Sequence, residues 1–171
     1  MRTSHVKVLP YMPQWAQAFE ALRDDLQAAL GNTFLSIEHV GSTSVPGMWA
    51  KPILDVDLVL QSRIILPEII HRLQALGYTH EGDLGIAGRE AFAYTYRPQF
   101  MAHHLYACAQ DCAELHRHIT FRDYLRNNAD AREAYSQIKR EAARLFPKDI
   151  DRYIAHKSTV IAQLYHDCGL S

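Results

Sequence analysis

Apolar residues recur along this chain with two different periods, and each change of period marks a new element. Residues 13–30 carry apolar side chains three and four positions apart, which predicts an amphipathic helix that ends at Gly31. Residues 33–40 and 52–60 are extended apolar runs, which predict two strands. In the second run, polar and aliphatic positions alternate from Lys51 onward, so the two faces of that strand differ in chemistry.

The middle of the chain predicts a second helix followed by three more strands. Residues 64–76 have helical periodicity, and residues 78–82 form a short strand. A glycine-rich loop spans residues 82–89, and strands over residues 90–96 and 101–108 form a hairpin. This order of elements indicates an α/β (α+β) fold, in which helices flank a mixed sheet.

The last third of the chain predicts three helices, over residues 113–127, 129–146 and 149–167. Because these helices follow all the strands, we expect an α/β core over residues 1–110. Residues 111–171 then form a helical segment packed on that core, within a single compact unit.

The alternating strand carries two acidic residues on one face. Asp55 and Asp57 lie two positions apart, and Lys51 shares their parity. Two carboxylates so close repel each other, and a divalent cation relieves that repulsion. The loop upstream contains Gly41 and Ser42, whose backbone N–H groups and hydroxyl suit phosphate oxygens. The stretch therefore predicts a site for Mg²⁺ (or Mn²⁺) and a phosphorylated ligand.

The sequence of this stretch resembles that of a known family. Residues 39–57, HVGSTSVPGMWAKPILDVD, are similar to the signature of the GrpB family, a branch of the nucleotidyltransferase (polymerase-β-like) superfamily. Residues 102–105, 121–126 and 153–157 are also similar to the family, so the resemblance covers nearly the whole chain. It implies a nucleotidyltransferase-like mixed sheet, with a glycine-serine loop before the strand that binds the metal.

The resemblance also implies roles for single residues. Asp55 and Asp57 would be catalytic metal ligands, and Gly41 and Ser42 would hold the phosphates of a nucleoside triphosphate. The implied activity is metal-dependent transfer of a nucleotidyl group from the triphosphate to an unknown acceptor. The alternative is a non-catalytic protein that binds a nucleotide or another phosphorylated small molecule.

Active members of the superfamily carry a third carboxylate on a later strand, and here that strand has His103 and His104 instead. Only one of the two can face Asp55, because neighbouring strand residues point to opposite faces. His104 is favoured as the catalytic substitute, since it shares its parity with the polar Tyr106. Glu90 on the neighbouring strand is a second source of the carboxylate.

Cations on the helices complete the predicted site. Arg122 falls within an apolar stripe of its helix, so its guanidinium needs a partner, either a protein carboxylate or a ligand phosphate. Lys157 lies one turn after Tyr153 and could point with it into the same cleft, or into solvent. Lys51 could bind phosphate or pair with the aspartates, and His39 could touch a phosphate or brace the loop.

Composition limits the partners. The formal net charge of −1 over 171 residues gives no basic field for an extended nucleic acid, which favours a small substrate.

No apolar run approaches the length of a membrane span and no signal-peptide core is present, so a cytoplasmic protein with reduced thiols is expected. A zinc ion could use Cys108, Cys112, His116 and His118. Their spacing matches no strong zinc motif, so buried thiols are favoured over a zinc site.

Overall fold

The computed structural model describes residues 5–170, which form a five-stranded sheet flanked by helices. The strands are β1 (Ser36–Val40), β2 (Leu54–Leu60), β3 (Tyr78–Gly82), β4 (Arg89–Tyr94) and β5 (His103–Ala109). The helices are α1 (Gln14–Leu30), α2 (Leu66–Ala75), α3 (Ala113–Asn127), α4 (Ala129–Leu145) and α5 (Ile150–Asp167). Short 3₁₀ turns lie at Ser42–Ser44 and Arg63–Ile65.

The sheet is mixed, as the sequence predicts. Its strand order is β1-β2-β5-β4-β3, with β2 and β5 parallel and every other neighbouring pair antiparallel. In the register of the central pair, Asp55 lies beside His104 and Asp57 lies beside Tyr106. The hairpin predicted between the last two strands is also present, since β4 and β5 pair antiparallel.

The two faces of the sheet have different partners. Aliphatic positions of β2, such as Leu54, Val56 and Leu58, pack with α1 and α2 in the largest apolar cluster of the protein. The opposite face carries Asp55 and Asp57, and α3 packs over it against β1 and β5. The alternation of the β2 sequence thus separates a dry core from a polar face.

The C-terminal helices close over the loop that follows β1. Val45 and Met48 of that loop are fully buried against residues of α3, α4 and α5, among them Tyr135 and Leu164. Near the start of the described chain, Val6 packs with Ala142 and Tyr153. Both clusters join side chains from before and after residue 110. The division of the chain at that residue stays a prediction.

Most predicted boundaries agree with the structure to within one or two residues, and β1 is the main exception. It begins at Ser36, three residues later than predicted. The Thr33 hydroxyl donates a hydrogen bond of 2.8 Å to the carbonyl of Leu30, so Thr33 closes α1 and does not start the strand. No helix within residues 5–170 has the length and apolar character needed to cross a membrane.

Candidate functional site

The loop after β1 brings its backbone against the first predicted metal ligand. Gly41 has φ of +69°, in the region that favours glycine. A Cβ at this position would collide with the carboxylate of Asp55. The Ser44 hydroxyl donates a hydrogen bond of 2.5 Å to the Gly41 carbonyl, which tightens the turn. Glycine at this position therefore lets the loop and the Asp55 carboxylate share one corner of the site.

His39 braces this loop from the other face of the sheet. Its Nε2 lies 3.0 Å from the Thr43 hydroxyl, and its ring stacks on Phe19 with centroids 4.6 Å apart. Burial lowers the pKa of His39 to about 4, so the ring is neutral at physiological pH. Of the two roles predicted for His39, the structure places it in the bracing one.

Asp55 and Asp57 lie on the same face of β2 but in different environments. The Asp55 side chain is 35% exposed, and its Oδ1 lies 3.0 Å from Nδ1 of His104. The Asp57 side chain is 0% exposed, and its Oδ2 lies 2.6 Å from Nδ1 of His118. Burial raises the pKa of Asp57, while the hydrogen bond from His118 acts in the opposite direction. The other oxygen, Oδ1, is buried and has no hydrogen-bond partner among residues 5–170.

His118 was not predicted as part of this site. It reaches Asp57 from α3, and its Nε2 lies 3.2 Å from Oε1 of Glu114, one turn earlier on the helix. Burial lowers the pKa of His118, but the hydrogen bond and charge of Asp57 and the charge of Glu114 outweigh it, so the net pKa is raised. The helical spacing of Glu114 and His118 was visible in the sequence, whereas their approach to β2 was not.

The structure separates the two histidines of β5 as the alternation predicts. His104 points to the Asp55 face. His103 is buried on the other face, with its Nε2 2.7 Å from the Tyr78 hydroxyl. The alternative that Glu90 supplies the third carboxylate is wrong. Glu90 lies beside Ala107 in the register and therefore projects from the opposite face, where it pairs with Arg63 at 2.7 Å.

Three lysines, Lys51, Lys139 and Lys157, line the same cavity as Ser42 of the loop. Lys139 of α4 is buried, donates to the Ser42 hydroxyl, and lies 4.0 Å from the centroid of the Tyr135 ring. Burial lowers its pKa well below the ordinary value, and the charge of Lys157 adds to this effect. Burial also lowers the pKa of Lys157 to about 8 and lowers that of Lys51. None of the three has a carboxylate within 4.0 Å in the part of the chain that the structure describes.

Arg122 has found a protein carboxylate, one of its two predicted partners. Its guanidinium lies 2.9 Å from Glu38 of β1 and 2.9 Å from Asp123, and the side chain is 11% exposed. It also donates to the carbonyl of His39 at 3.1 Å. Arg122 therefore ties α3 to the end of β1 while it lines the same cavity as the lysines.

One cavity of about 300 Å³ collects the predicted site. Its lining includes seven of the predicted residues, namely Gly41, Ser42, Lys51, Asp55, His104, Arg122 and Lys157. Asp57 lies beneath its surface and contacts the lining residue His118. The walls also include aromatic rings from α3, α4 and α5, namely Phe121, Tyr135, Tyr153 and Tyr165. The cavity therefore joins carboxylates, cations and aromatic rings from elements far apart in the sequence.

The cysteine and histidine set is dispersed. Cys108 and Cys112 are buried in an apolar cluster with Val59 and Leu115. His116 is exposed, whereas His118 pairs with Asp57. Within residues 5–170, no group of three or more His, Cys, Asp or Glu side chains is arranged to hold a metal by itself.

Comparison with known proteins gives a consistent family and fold. The sequence profile described as GrpB protein matches residues 5–167. The chain is 34% identical over 152 residues to UPF0157 protein YqkA of Bacillus subtilis, which covers 89% of this chain and 44% of that protein. It therefore spans less than half the length of this relative.

Two solved structures extend the comparison. The crystal structure of the conserved protein GrpB from Enterococcus faecalis has a TM-score of 0.83 and 30% identity, covering 95% of this chain and 96% of that one. The Cid1 poly(U) polymerase with MgGTP bound has a TM-score of 0.54 and 13% identity, covering 76% of this chain and 42% of that one. At that identity the likeness concerns the fold alone. The chain belongs to the GrpB family and has the mixed α/β fold of nucleotidyltransferases.

Proposed function

We propose that this chain binds a nucleoside triphosphate with a divalent cation and transfers its nucleotidyl group to an acceptor. One observation carries the proposal. A single cavity places the carboxylate of Asp55 beside three lysines that have no carboxylate partner among the described residues. Buried cations without an acidic partner are unfavourable unless an anionic ligand neutralises them. A triphosphate supplies that charge, and the Cid1 poly(U) polymerase, which has a similar fold, was solved with MgGTP bound.

Asp55 and Asp57 fit a Mg²⁺ or Mn²⁺ ion. The Oδ1 atom of Asp57 is buried without a hydrogen-bond partner among residues 5–170, so it can accept a hydrogen bond or bind a cation. Because the described residues offer no set of three ligands, such a cation would complete its coordination with phosphate oxygens and water, as Mg²⁺ does at many phosphate sites. When bound, the cation would neutralise charge on the phosphates and polarise the α-phosphorus.

The protein groups divide the remaining work. Backbone N–H groups of the Gly41–Ser42 turn and the amines of Lys139 and Lys157 hold the β- and γ-phosphates, with Lys51 beside them. An acceptor hydroxyl then forms a bond to the α-phosphorus, the bond to the bridging oxygen of the β-phosphate breaks, and pyrophosphate leaves. The hydroxyl proton goes to a base or to water.

His104 is the protein base that we assign to this step. Its Nδ1 lies 3.0 Å from the Asp55 carboxylate, and in the neutral tautomer that donates from Nδ1 to this carboxylate Nε2 keeps its lone pair. An imidazole held in that tautomer can accept the proton of the attacking hydroxyl. The substrate also favours a cytoplasmic setting, where nucleoside triphosphates are abundant.

A second function is favoured by one specific observation. Tyr106 lies beside Asp57 in the register, so β5 presents no acid next to either aspartate. A site with two carboxylates could bind the nucleotide and its cation without transfer. The two functions make the same prediction for binding and opposite predictions for turnover.

Thermal unfolding and turnover test the proposal together. A triphosphate with Mg²⁺ or Mn²⁺ at one hundred times its dissociation constant should raise Tm by about 5 to 10 °C. Asp55→Asn should abolish the part that depends on metal, whereas Asp111→Asn, an exposed acid outside the cavity, should leave it unchanged. A wild-type protein that shows no metal-dependent rise with ATP, GTP, CTP or UTP would refute both functions.

The transfer step needs its own measurement. Triphosphates radiolabelled at the α-phosphate are incubated with the protein and a desalted cell extract, and labelled products are separated from free nucleotide. Label that moves into a new product in wild type but not in Asp55→Asn supports transfer. Tight metal-dependent binding with no labelled product would favour the non-catalytic function.

A further inference from the structure

Arg89 is a cation in the cavity that the nucleotide site does not use. It opens β4 and lies beside Cys108 in the register, so it shares the face of Tyr106 and Asp57. Its guanidinium carbon lies 4.2 Å from the centroid of the Tyr106 ring. Stacking of this kind fixes the plane of a guanidinium and leaves its N–H edge available for another group.

Arg89 has no acidic partner within residues 5–170, which sets it apart from the other arginines of the cavity. Arg122 pairs with Glu38, and Arg117 lies 3.6 Å from Glu114. The Nε of Arg89 is buried and makes no hydrogen bond within the same residues. A guanidinium that faces a cavity with an unmet donor is a ready site for a planar anion, because its N–H groups match the oxygens of phosphate or carboxylate.

Its position separates Arg89 from the three lysines. Lys139 contacts the Ser42 hydroxyl, and the Asp55 charge acts on all three lysines. Arg89 lies on β4, two strands from β2, and its charge acts on Asp57. Strand β5 lies between Arg89 and the strand that carries the aspartates, and the charges associate the lysines with Asp55 and Arg89 with Asp57. A nucleoside triphosphate bound by the lysines would therefore leave Arg89 free to bind a second molecule.

We propose that Arg89, held on Tyr106, binds the anionic group of a small hydroxyl-bearing acceptor. This inference rests on the proposed nucleotidyl transfer and adds the class of acceptor, a small phosphate or carboxylate. Its hydroxyl would approach the α-phosphorus from the Asp57 side, opposite the leaving pyrophosphate at the lysines. The formal net charge of −1 fits such an acceptor better than an extended nucleic acid.

The test measures donor and acceptor binding separately. Protein saturated with Mg²⁺ and an α,β-methylene triphosphate is titrated with glycerol 3-phosphate or with glycerate, which share hydroxyls but differ in the anion. We expect binding of at least one of these probes. Arg89→Gln should weaken it tenfold or more and leave the nucleotide dissociation constant within twofold. Lys139→Gln should do the reverse, since Lys139 belongs to the nucleotide side.

Two further variants are controls for the loss of the Arg89 guanidinium. Arg89→Lys keeps the charge but loses the fork of donors, so an intermediate loss is expected. Arg23→Gln, which changes an arginine outside the cavity that pairs with its neighbour Asp24, should change neither constant. Circular dichroism melts establish that each variant is folded.

The outcomes are distinct. A preference for glycerol 3-phosphate would identify the acceptor anion as phosphate, and a preference for glycerate would identify it as carboxylate. Equal weakening of nucleotide and anion by Arg89→Gln would assign Arg89 to the donor phosphates and overturn the inference. So would nucleotide binding without binding of either probe, although the proposed function would survive. A protein that binds no nucleotide would remove the proposed function and the acceptor assignment together.

Discussion

Binding of a triphosphate should take up protons near pH 8, and Lys157 should supply a defined part of that uptake. In the free protein, burial and the charge of Lys51 lower the pKa of Lys157 to about 8, from an ordinary value of 10.5. At pH 8 the amine is therefore about half protonated. A phosphate placed beside it favours the charged form, raises the pKa again and completes the protonation.

The magnitude follows from the same pKa. Complete protonation of Lys157 at pH 8 takes up roughly half a proton per nucleotide, and Lys139 adds to this because its pKa is also lowered. At pH 6.5 the free amine of Lys157 is already almost fully protonated, so its part of the uptake disappears. A phosphate monoester has its second pKa near 6, so the ligand itself changes little at pH 8.

Isothermal titration in two buffers of different ionisation enthalpy measures this number. The slope of apparent binding enthalpy against buffer enthalpy gives the protons taken up. Lys157→Gln should lower the uptake at pH 8 by roughly half a proton under identical metal concentrations, so that any proton released by metal binding cancels. Lys148→Gln, an exposed lysine outside the cavity, is the matched control and should change nothing.

Two results would refute the reasoning. If wild type and Lys157→Gln gave the same uptake at pH 8, the amine would not titrate with the ligand and would not contact the phosphates. If the difference between them were larger at pH 6.5 than at pH 8, a group of lower pKa would be responsible.

Three other substitutions test the remaining contacts. Lys139→Met removes a buried amine without an acidic partner among residues 5–170, so urea unfolding of the ligand-free protein at pH 7 should show a free energy of unfolding raised by about 1 kcal/mol or more. Calorimetry should show that the same substitution weakens nucleotide binding at least tenfold. Arg122→Leu leaves the partly buried Glu38 unpaired and should cost about 1 to 3 kcal/mol of stability, more than it costs in nucleotide binding; equal losses would show that Arg122 also contacts phosphate. Gly41→Ala should lower Tm by several degrees and abolish metal-dependent binding, because its Cβ meets the Asp55 carboxylate at a backbone φ of +69°; unchanged binding would exclude this corner as the metal site.

The sequence predicts the elements well because its two periods are clean. Strand β2 shows why: Leu54, Val56, Leu58 and Leu60 alternate along it and fall on the face that packs against α1 and α2, whereas Val59 packs on the other face with Cys108. The same alternation identifies Asp55 and Asp57 as neighbours and selects His104 over His103. These inferences need only local geometry, which a single strand already fixes.

Residues that reach the site from distant helices were harder to predict. His118 lies 61 positions from Asp57 in the sequence, and Lys139 lies 97 positions from Ser42. Lys139 nevertheless carried a signal, since it follows Tyr135 by one turn on the buried side of α4. Lys139 and Arg122 thus share the same signal in the sequence, a cation on the apolar stripe of a helix.

The partner of Arg122 shows where such a signal stops. A guanidinium on an apolar stripe predicts an acidic or anionic neighbour but does not say which. The carboxylate of Glu38 becomes available only because β1 pairs antiparallel with β2, in a register that sets Glu38 beside Asp57. Pairing between strands depends on the whole sheet, so this contact lay outside what local pattern could give.

The contrast between Arg122 and Lys139 also separates structure from function within the site. Arg122 is satisfied by Glu38 and therefore stabilises the protein without a ligand. Lys139 is buried, and its amine contacts the Ser42 hydroxyl, the Trp49 carbonyl and the Tyr135 ring, none of which carries a full negative charge. Folding alone does not favour a cation in that position, and an anionic ligand does. The residues that destabilise the free protein are thus the best guide to the ligand, and in this cavity they gather at the loop where the phosphates would lie.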